Sequence, residues 1–244
     1  MTPDQLLILA LGVLIVAFLY SSVGHAGASG YIAVMSLLSL APEVIKPLAL
    51  TLNILVASIG TFQFWRAGYF SWRLFWPFAL LAVPMAFVGG YLNLPAQVFK
   101  ILVGVILLYS AVRFLMPAPT EHEPSPPPLA VALGSGGFIG LFAGFTGTGG
   151  GIFLTPLLLL AGWARVKTAA AVSALFILCN SIAGLVGNIG STKQFPTFAL
   201  VLVAAAAVGG TVGSYLGSRR FDPAVIKRFL AVVLVIAGTK LVLT

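Results

Sequence analysis

Charge is what this sequence has least of. Only 7% of its 244 residues are Asp, Glu, Lys or Arg, against about 25% in an ordinary soluble domain. The acidic residues number five: Asp4, Glu43, Glu121, Glu123 and Asp222. All of them sit at segment ends or in one polar stretch, so a carboxylate proton relay inside the apolar segments is excluded. Cysteine is nearly missing too. Cys179 stands alone, can form no internal disulfide and fits no metal-ligand spacing. It lies in an apolar segment and reads as packing. The spans hold no Asp pair, no His pair and no Ser-His-Asp set. Catalysis therefore has no nucleophile with a base, no catalytic residue is assigned, and no metal or cofactor is expected.

What is present is hydrocarbon, 60% of the chain. Apolar runs of membrane-spanning length follow one another from end to end, the pattern of a polytopic membrane protein. The first run, "LLILALGVLIVAFLY", lacks a basic flank and a small-residue cleavage pattern, so it reads as mature structure and not as a signal peptide. The net charge of +8 does not point to nucleic acid. Its basic residues are scattered singly or in pairs at segment ends, where topology and interface anchoring place them.

Ten apolar segments are predicted, over 5–20, 31–41, 47–65, 74–92 and 97–116, then 129–144, 151–162, 168–188, 197–217 and 224–243. Between the two sets lies "PAPTEHEPSPPP", residues 117–128, too proline-rich and polar for a membrane helix and read as a solvated linker that includes His122. The expected organisation is a transmembrane repeat over 1–116, the linker over 117–128 and a second repeat over 129–244. The halves share an order of features. Each opens with an apolar segment that runs into a glycine cluster. A short apolar piece follows, then a basic turn, "PEVIKP" with Lys46 and "WARVKT" with Arg165 and Lys167. A long segment with buried polar residues is next. The fourth segments end in "VGG", at Gly89-Gly90 and Gly209-Gly210, and the fifth open with Pro-Ala. This is an internal repeat.

Counting basic residues by side puts nine on one face and four on the other, Lys46, Lys100, Lys193 and Lys240. The richer face is predicted to be cytoplasmic, with both termini outside. Each half has an odd number of segments, so the repeats are inverted, an architecture common among secondary transporters. Segments 31–41 and 151–162 cover only about 16–18 Å at about 1.5 Å per residue. Each is a half-membrane piece or one arm of a re-entrant hairpin. Replacing two crossings by a hairpin leaves the sides of all later loops unchanged.

The glycine clusters, "VGHAGASG" at 23–30 and "FTGTGGG" at 145–151, break the apolar pattern at matching places. A backbone break at membrane depth must be buried or line a cavity. New helices are predicted to begin at 31 and 151, and their first N–H groups carry the positive end of the helix dipole. Two such ends, one per half, would form an anion cradle that needs no lysine. Candidate substrate-binding residues are therefore Gly24, His25, Gly27, Ser29 and Gly30 in the first cluster, with Thr146, Gly147, Thr148, Gly149, Gly150 and Gly151 in the second. Ser22 would add a further donor. The plainer reading is that small residues let helices approach closely.

His25 is the ionisable side chain of the repeat-related core. It either exchanges a proton, making it the proton-coupling candidate, or is a neutral histidine bonded to a carbonyl freed by the break. Thr146 stands at the equivalent place in the second half. Asn53, Gln63 and Asn180 are costly in lipid and should face the interior, either to hold helices together or to line a path. Arg66 reads as a cytoplasmic anchor.

Two stretches carry a resemblance. "GFTGTGGGIFLTPLLLLAG" at 144–162, with the following "VKTAAAVSALFI", and "VGHAGASGYIAVMSLLSLAPEVIKPLALTLNILVASIGTFQFWRAGYFSWR" at 23–73 resemble the sulfite exporter TauE/SafE family of membrane transporters. The likeness covers both halves. The first half departs from it, with Ala28 and Ser29 where the second has Gly149 and Gly150, and Met35 where it has Pro156. The resemblance implies sulfur-containing anions, such as sulfite, sulfoacetate and other organosulfonates. The residues themselves indicate only a small anion.

The expectation is an all-α polytopic membrane protein of two inverted-topology repeats, each of about five helical segments, with broken or re-entrant short helices after the glycine motifs. It would reside in the cytoplasmic membrane and move a small anion by alternating access, with export favoured. The alternatives are an anion channel or uniporter and proton-coupled uptake of a sulfur oxyanion. Expected partners are the anionic substrate and the lipid bilayer, with a homodimer as a candidate assembly and no nucleic acid.

Overall fold

Proline and glycine set where the helices begin and stop. The computed structural model describes residues 3–22, 25–92, 94–116, 123–189, 197–217, 231, 234–236 and 238–243. Helix α1 runs Pro3–Ser22 and α2 Ala28–Leu37. Then come α3 (Pro42–Arg66), α4 (Trp72–Tyr91) and α5 (Ala96–Leu115). The second half holds α6 (Leu129–Thr146), α7 (Gly151–Leu160), α8 (Val166–Ile189) and α9 (Ala199–Gly217). Among the described residues there is no strand, and α1, α3, α4, α6, α8 and α9 are long and apolar enough to cross a membrane. The protein is an all-helical, multi-pass membrane protein.

Two boundaries differ from the sequence expectation. The third segment was predicted from residue 47, but α3 begins at Pro42. Proline suits the first helical position, where its missing N–H has no partner to lose, and Glu43 follows in the first turn, where the dipole favours an acid. Lys46 is therefore helical and buried, not a turn residue. The first of the new helices was predicted to open at 31, but α2 opens at Ala28. Gly27 alone supplies the left-handed conformation that the turn needs, with φ 104°. Ala28, Ser29 and Gly30 are then free to join the first turn.

Both short helices fold back along the helix before them. Gly30 of α2 packs against Val16 and Tyr20, and Val34 against Gly12, so α2 runs antiparallel to α1. At the other hairpin, Ser125 N–H donates to Gly162 O at 3.0 Å, which brings the end of α7 beside the start of α6. Each is the short second arm of a helical hairpin, and its helix is capped by a glycine, Gly27 or Gly150.

Contacts at the helix ends fix two faces. On the face where α1 begins, Lys240 Nζ donates to Ser36 O and Leu37 O at the end of α2. Lys46 near the start of α3 meets the end of α4 there as well. We refer to this as the terminal face. The opposite, linker face carries Ser125, Arg66, Arg73, Arg165 and Lys167. There Lys167 Nζ lies 4.9 Å from the centre of the Tyr69 ring, and Trp65 stacks on Phe70 at 5.7 Å. Exposed Trp65, Tyr69 and Trp72 beside basic residues make the aromatic belt of a membrane–water interface.

The two halves are interlocked. α1 packs along α9, and its counterpart α6 packs along α4, while α3 and α8 cross between them. The contacts are backbone-close. An added Cβ on Gly136, Gly140 or Gly144 would collide with the carbonyl oxygen of Phe78, Ala82 or Ala86 of α4. On the other side, Gly209 and Gly213 meet Leu14 O and Phe18 O of α1. Small residues let membrane helices approach until backbones touch, where dispersion supplies the attraction that water cannot. The "VGG" pairs match in role. Gly89 faces α6 and Gly209 faces α1, while Gly90 faces α8 and Gly210 faces α3. The first core joins α1, α2, α3, α5 and α9, and the second joins α4, α6, α7 and α8. This exchange is consistent with an inverted repeat. Outward faces carry exposed Leu7, Ile8, Leu11 and Ile15 on α1, and Leu80 and Leu81 on α4, as a lipid-facing surface requires.

Candidate functional site

Three departures from helical geometry within four residues make the second hairpin tip. Gly147 ends α6 with φ 77°, Gly149 has φ 71°, and Gly150 caps α7 with φ 82°. A side chain in this region costs roughly 1–2 kcal/mol per residue, so glycine fits it best. The tip lies inside the protein: Thr146 is fully buried and Thr148 nearly so. Thr146 Oγ1 donates to Phe142 O at 2.7 Å and shares a 3.0 Å hydrogen bond with Thr148 Oγ1. The first intrahelical bonds of α7 run from Phe153 and Leu154 N–H to Gly150 O. The N–H groups of Gly151 and Ile152 therefore head the helix, at the positive end of its dipole.

α3 and α8 bring polar side chains to this tip. An added Cβ on Gly149 would lie 2.8 Å from Asn53 Nδ2 and 2.9 Å from Ser181 Oγ. Asn53 and Ser181 are themselves joined, Nδ2 donating to Oγ at 3.4 Å, and both are fully buried. Among the described residues Asn53 Oδ1 has no partner, and neither amide atom of Asn180 has one. Asn180 is fully buried, one helical turn from Ile177, which packs on Gly149 and Gly151. Below Asn53, Thr155 Oγ1 of α7 donates to Ser173 Oγ of α8 at 2.8 Å, anchoring the helix whose N-terminus faces the site.

The first tip is built differently. Gly24 lies outside the described residues. His25 is half-buried, and its backbone N–H donates to Tyr20 O at 2.9 Å, closing the end of α1. Tyr31 O–H donates to Ala26 O at 2.8 Å, and Ser29 Oγ bonds Tyr20 O–H at 2.7 Å. These bonds hold the two arms together. Gly30 lies in the first turn of α2, and a side chain there would strike Val16 and Tyr20, so it serves close packing. Counting back from the caps Gly27 and Gly150, His25 corresponds to Thr148 and not to Thr146. The sequence match was made glycine to glycine, Gly30 on Gly151, whereas the helix starts pair Ala28 with Gly151.

The structure thus brings Asn53, Ile177 and Ser181 to Gly149, and Ile177 to Gly151, with Asn180 next to Ser181 in the sequence of α8. Gln63 stands apart: ten residues along α3 is about 15 Å, and it is half-buried near the exposed Arg66. Sequence reasoning missed Ser181 and Lys46. Lys46 Nζ donates to Gly90 O at 3.0 Å and to Gly89 O and Leu92 O at 3.3 Å, and an added Cβ on Gly147 would lie 3.1 Å from Lys46 O. The available signals were Pro42, which starts α3 early, and the seven-residue spacing from Lys46 to Asn53, which puts both on one face. The assembled groups are neutral amides, hydroxyls and backbone N–H groups with one cation beside them. Among the described residues no cluster of three His, Cys, Asp or Glu is suited to a metal. The arrangement is suited to holding a polar, electron-rich species.

Comparison with known proteins gives this geometry a context. A family model described as "Sulfite exporter TauE/SafE" matches residues 8–241. A "Probable membrane transporter protein" of Sinorhizobium fredii is 40% identical over 238 residues, 96% of each chain. A "Probable membrane transporter protein" of Xylella fastidiosa is 35% identical over 91 residues, 37% of this chain and 33% of that one. No solved structure matches. The match runs across both hairpins and every described helix, and the chain belongs to the sulfite exporter TauE/SafE family of membrane proteins.

Proposed function

We propose that the protein is a secondary transporter of a small sulfur-containing anion, such as sulfite, sulfoacetate or another organosulfonate. It works by alternating access of two inverted repeats around the buried hairpin tips, in the cytoplasmic membrane. One observation carries the anion reading. The turn into a broken helix lies against Asn53, and α8 carries Asn180 next to Ser181; both amides are fully buried and retain polar atoms without partners among the described residues. A buried polar group without a partner costs about 1–3 kcal/mol. A bound anion would offset that cost at Asn180 Nδ2, an unpartnered donor, and take further hydrogen bonds from Asn53 Nδ2 and from the head of α7. The sulfur class rests on the family to which the chain belongs.

Export is the favoured direction. With the cell interior negative, moving one negative charge outward gains about 2.3 kcal/mol per 100 mV. A monoanion exporter needs no coupling carboxylate, in keeping with described spanning helices whose acidic residues, Asp4 and Glu43, stand only in first turns. The basic residues of the linker face orient it to the cytoplasm, with both termini outside. A second reading, proton-coupled uptake, is supported by the place of His25 at the first tip, where an ionisable ring is half-buried beside α1.

The test is thermal unfolding of the purified protein with sulfite, sulfate, thiosulfate, sulfoacetate, taurine, chloride or phosphate. A ligand that binds only the folded state raises the melting temperature by mass action. The expected result is a selective rise with one sulfur anion that disappears in Gly149→Leu. A flat response to every anion would remove the anion site and return the glycines to helix packing.

A further inference from the structure

We propose that Lys46 is a specificity-determining residue of the anion path: the fixed positive charge an anion meets between the Asn53–Gly149 tip and the terminal face. This rests on the anion-transport reading above. Three observations support it. Lys46 is 6% exposed, and no carboxylate among the described residues pairs with it. Its ammonium is balanced by carbonyls alone, those of Gly89, Gly90 and Leu92 at the C-terminal, negative end of the α4 dipole. A buried charge is normally paired, so a cation held only by dipoles keeps a strong attraction for an anion.

The second observation is position. Lys46 and Asn53 are seven residues apart on α3, which places them on one face about 10 Å apart along the axis. The tip spans that interval, with Gly147 against the backbone of Lys46 and Gly149 against the amide of Asn53. The third is convergence. Gly90 O accepts from Lys46 Nζ at 3.0 Å and from Asn188 Nδ2 of α8 at 3.3 Å. Three helices from both halves therefore meet at one carbonyl on the terminal face. A group that stays neutral would suffice to cap α4. A lysine at this place adds a charge that capping does not need.

The experiment uses the full-length protein in proteoliposomes, with sulfite and sulfoacetate as probes. Lys46→Gln retains an amide donor for the α4 carbonyls and removes the charge. Its KM should rise at least tenfold while kcat changes less than threefold, and Lys46→Arg should hold KM within threefold of the parent. A second measurement needs no variant. Acetylation of the wild-type protein by acetic anhydride is followed at each lysine by mass spectrometry. Sulfoacetate should slow labelling of Lys46 at least threefold and leave exposed Lys167 unchanged. An unaltered KM in Lys46→Gln, or labelling of Lys46 that ignores sulfoacetate, overturns the assignment and leaves Lys46 as a helix cap. If Lys46→Gln fails to fold, the labelling result decides. If the wild-type vesicles move neither sulfite nor sulfoacetate, the transport reading itself fails, and the role of Lys46 falls with it.

Discussion

Gly149 stands against Asn53: a Cβ on the glycine would lie 2.8 Å from the amide nitrogen of the asparagine. The two residues come from different halves of the chain, and their contact joins a hairpin tip to a crossing helix. The missing methyl group lets the backbone that leads into α7 reach the amide on α3. Substitution here should act on binding before it acts on insertion. Gly149→Ala combines a left-handed backbone costing roughly 1–2 kcal/mol with overpacking of about 1–3 kcal/mol. We expect a lower melting temperature and at least a tenfold loss of sulfite transport, with normal membrane yield. Gly149→Leu should abolish binding. Wild-type transport by Gly149→Ala would show that the tip is only a packing joint.

Asn180 gives a prediction of opposite sign for stability. Both of its amide atoms are buried without partners among the described residues. Replacement by leucine, of similar volume, should raise the stability of the anion-free protein by about 1–3 kcal/mol. The same change should remove the melting shift produced by the anion. A less stable Asn180→Leu with an intact anion response would mean that the amide is satisfied in the membrane and serves the fold.

The interlocked halves predict where the fold is most fragile. A Cβ on Gly140 would collide with Ala82 O, and one on Gly213 with Phe18 O. Because a backbone atom cannot rotate away, even alanine at these sites must separate two helices. Gly140→Leu and Gly213→Leu should each prevent recovery of folded protein, measured as the monodisperse fraction after detergent extraction. By contrast, Gly134 has open space around it, and Gly134→Ala should stabilise slightly, by about 0.5–1 kcal/mol for a helical position.

Orientation can be read with single cysteines in a Cys179→Ala background. Gln97, at the start of α5, is exposed on the terminal face, and Arg165, before α8, on the linker face. An impermeant maleimide applied to intact cells should label Gln97→Cys. Arg165→Cys should label only after permeabilisation, as the excess of basic residues on its side requires. The reverse pattern would invert the protein in the membrane.

Much of this was legible in the residues because membrane solvation is a severe filter. Few charges and long apolar runs leave only helices as spanning structures. The "VGG" pairs stand at matching places in the two halves, and the structure gives them matched partners. Positive φ at Gly147, Gly149 and Gly150 follows the run of glycines directly. The first cluster was harder to read. One glycine, Gly27, suffices for its turn, and Gly30 packs against α1 instead. A glycine that turns and a glycine that packs look alike in sequence.

The sequence by itself determined the lipid-embedded helical class, the duplicated order of elements and the two places where helices break. Each follows from local composition, since hydrophobicity, glycine and proline act over a few residues. Only the tertiary structure decided that α1 packs on α9 and α6 on α4, that Asn53 meets Ser181 and Gly149, and that Gln63 stands apart from them. It also decided that Lys46 turns inward onto the carbonyls of α4. Such facts depend on which helix lies beside which and at what rotation. Helices surrounded by apolar neighbours carry little periodic signal to reveal that rotation. Contacts between residues distant in the chain settle it, as for Lys46 with Gly90 and Asn53 with Ser181.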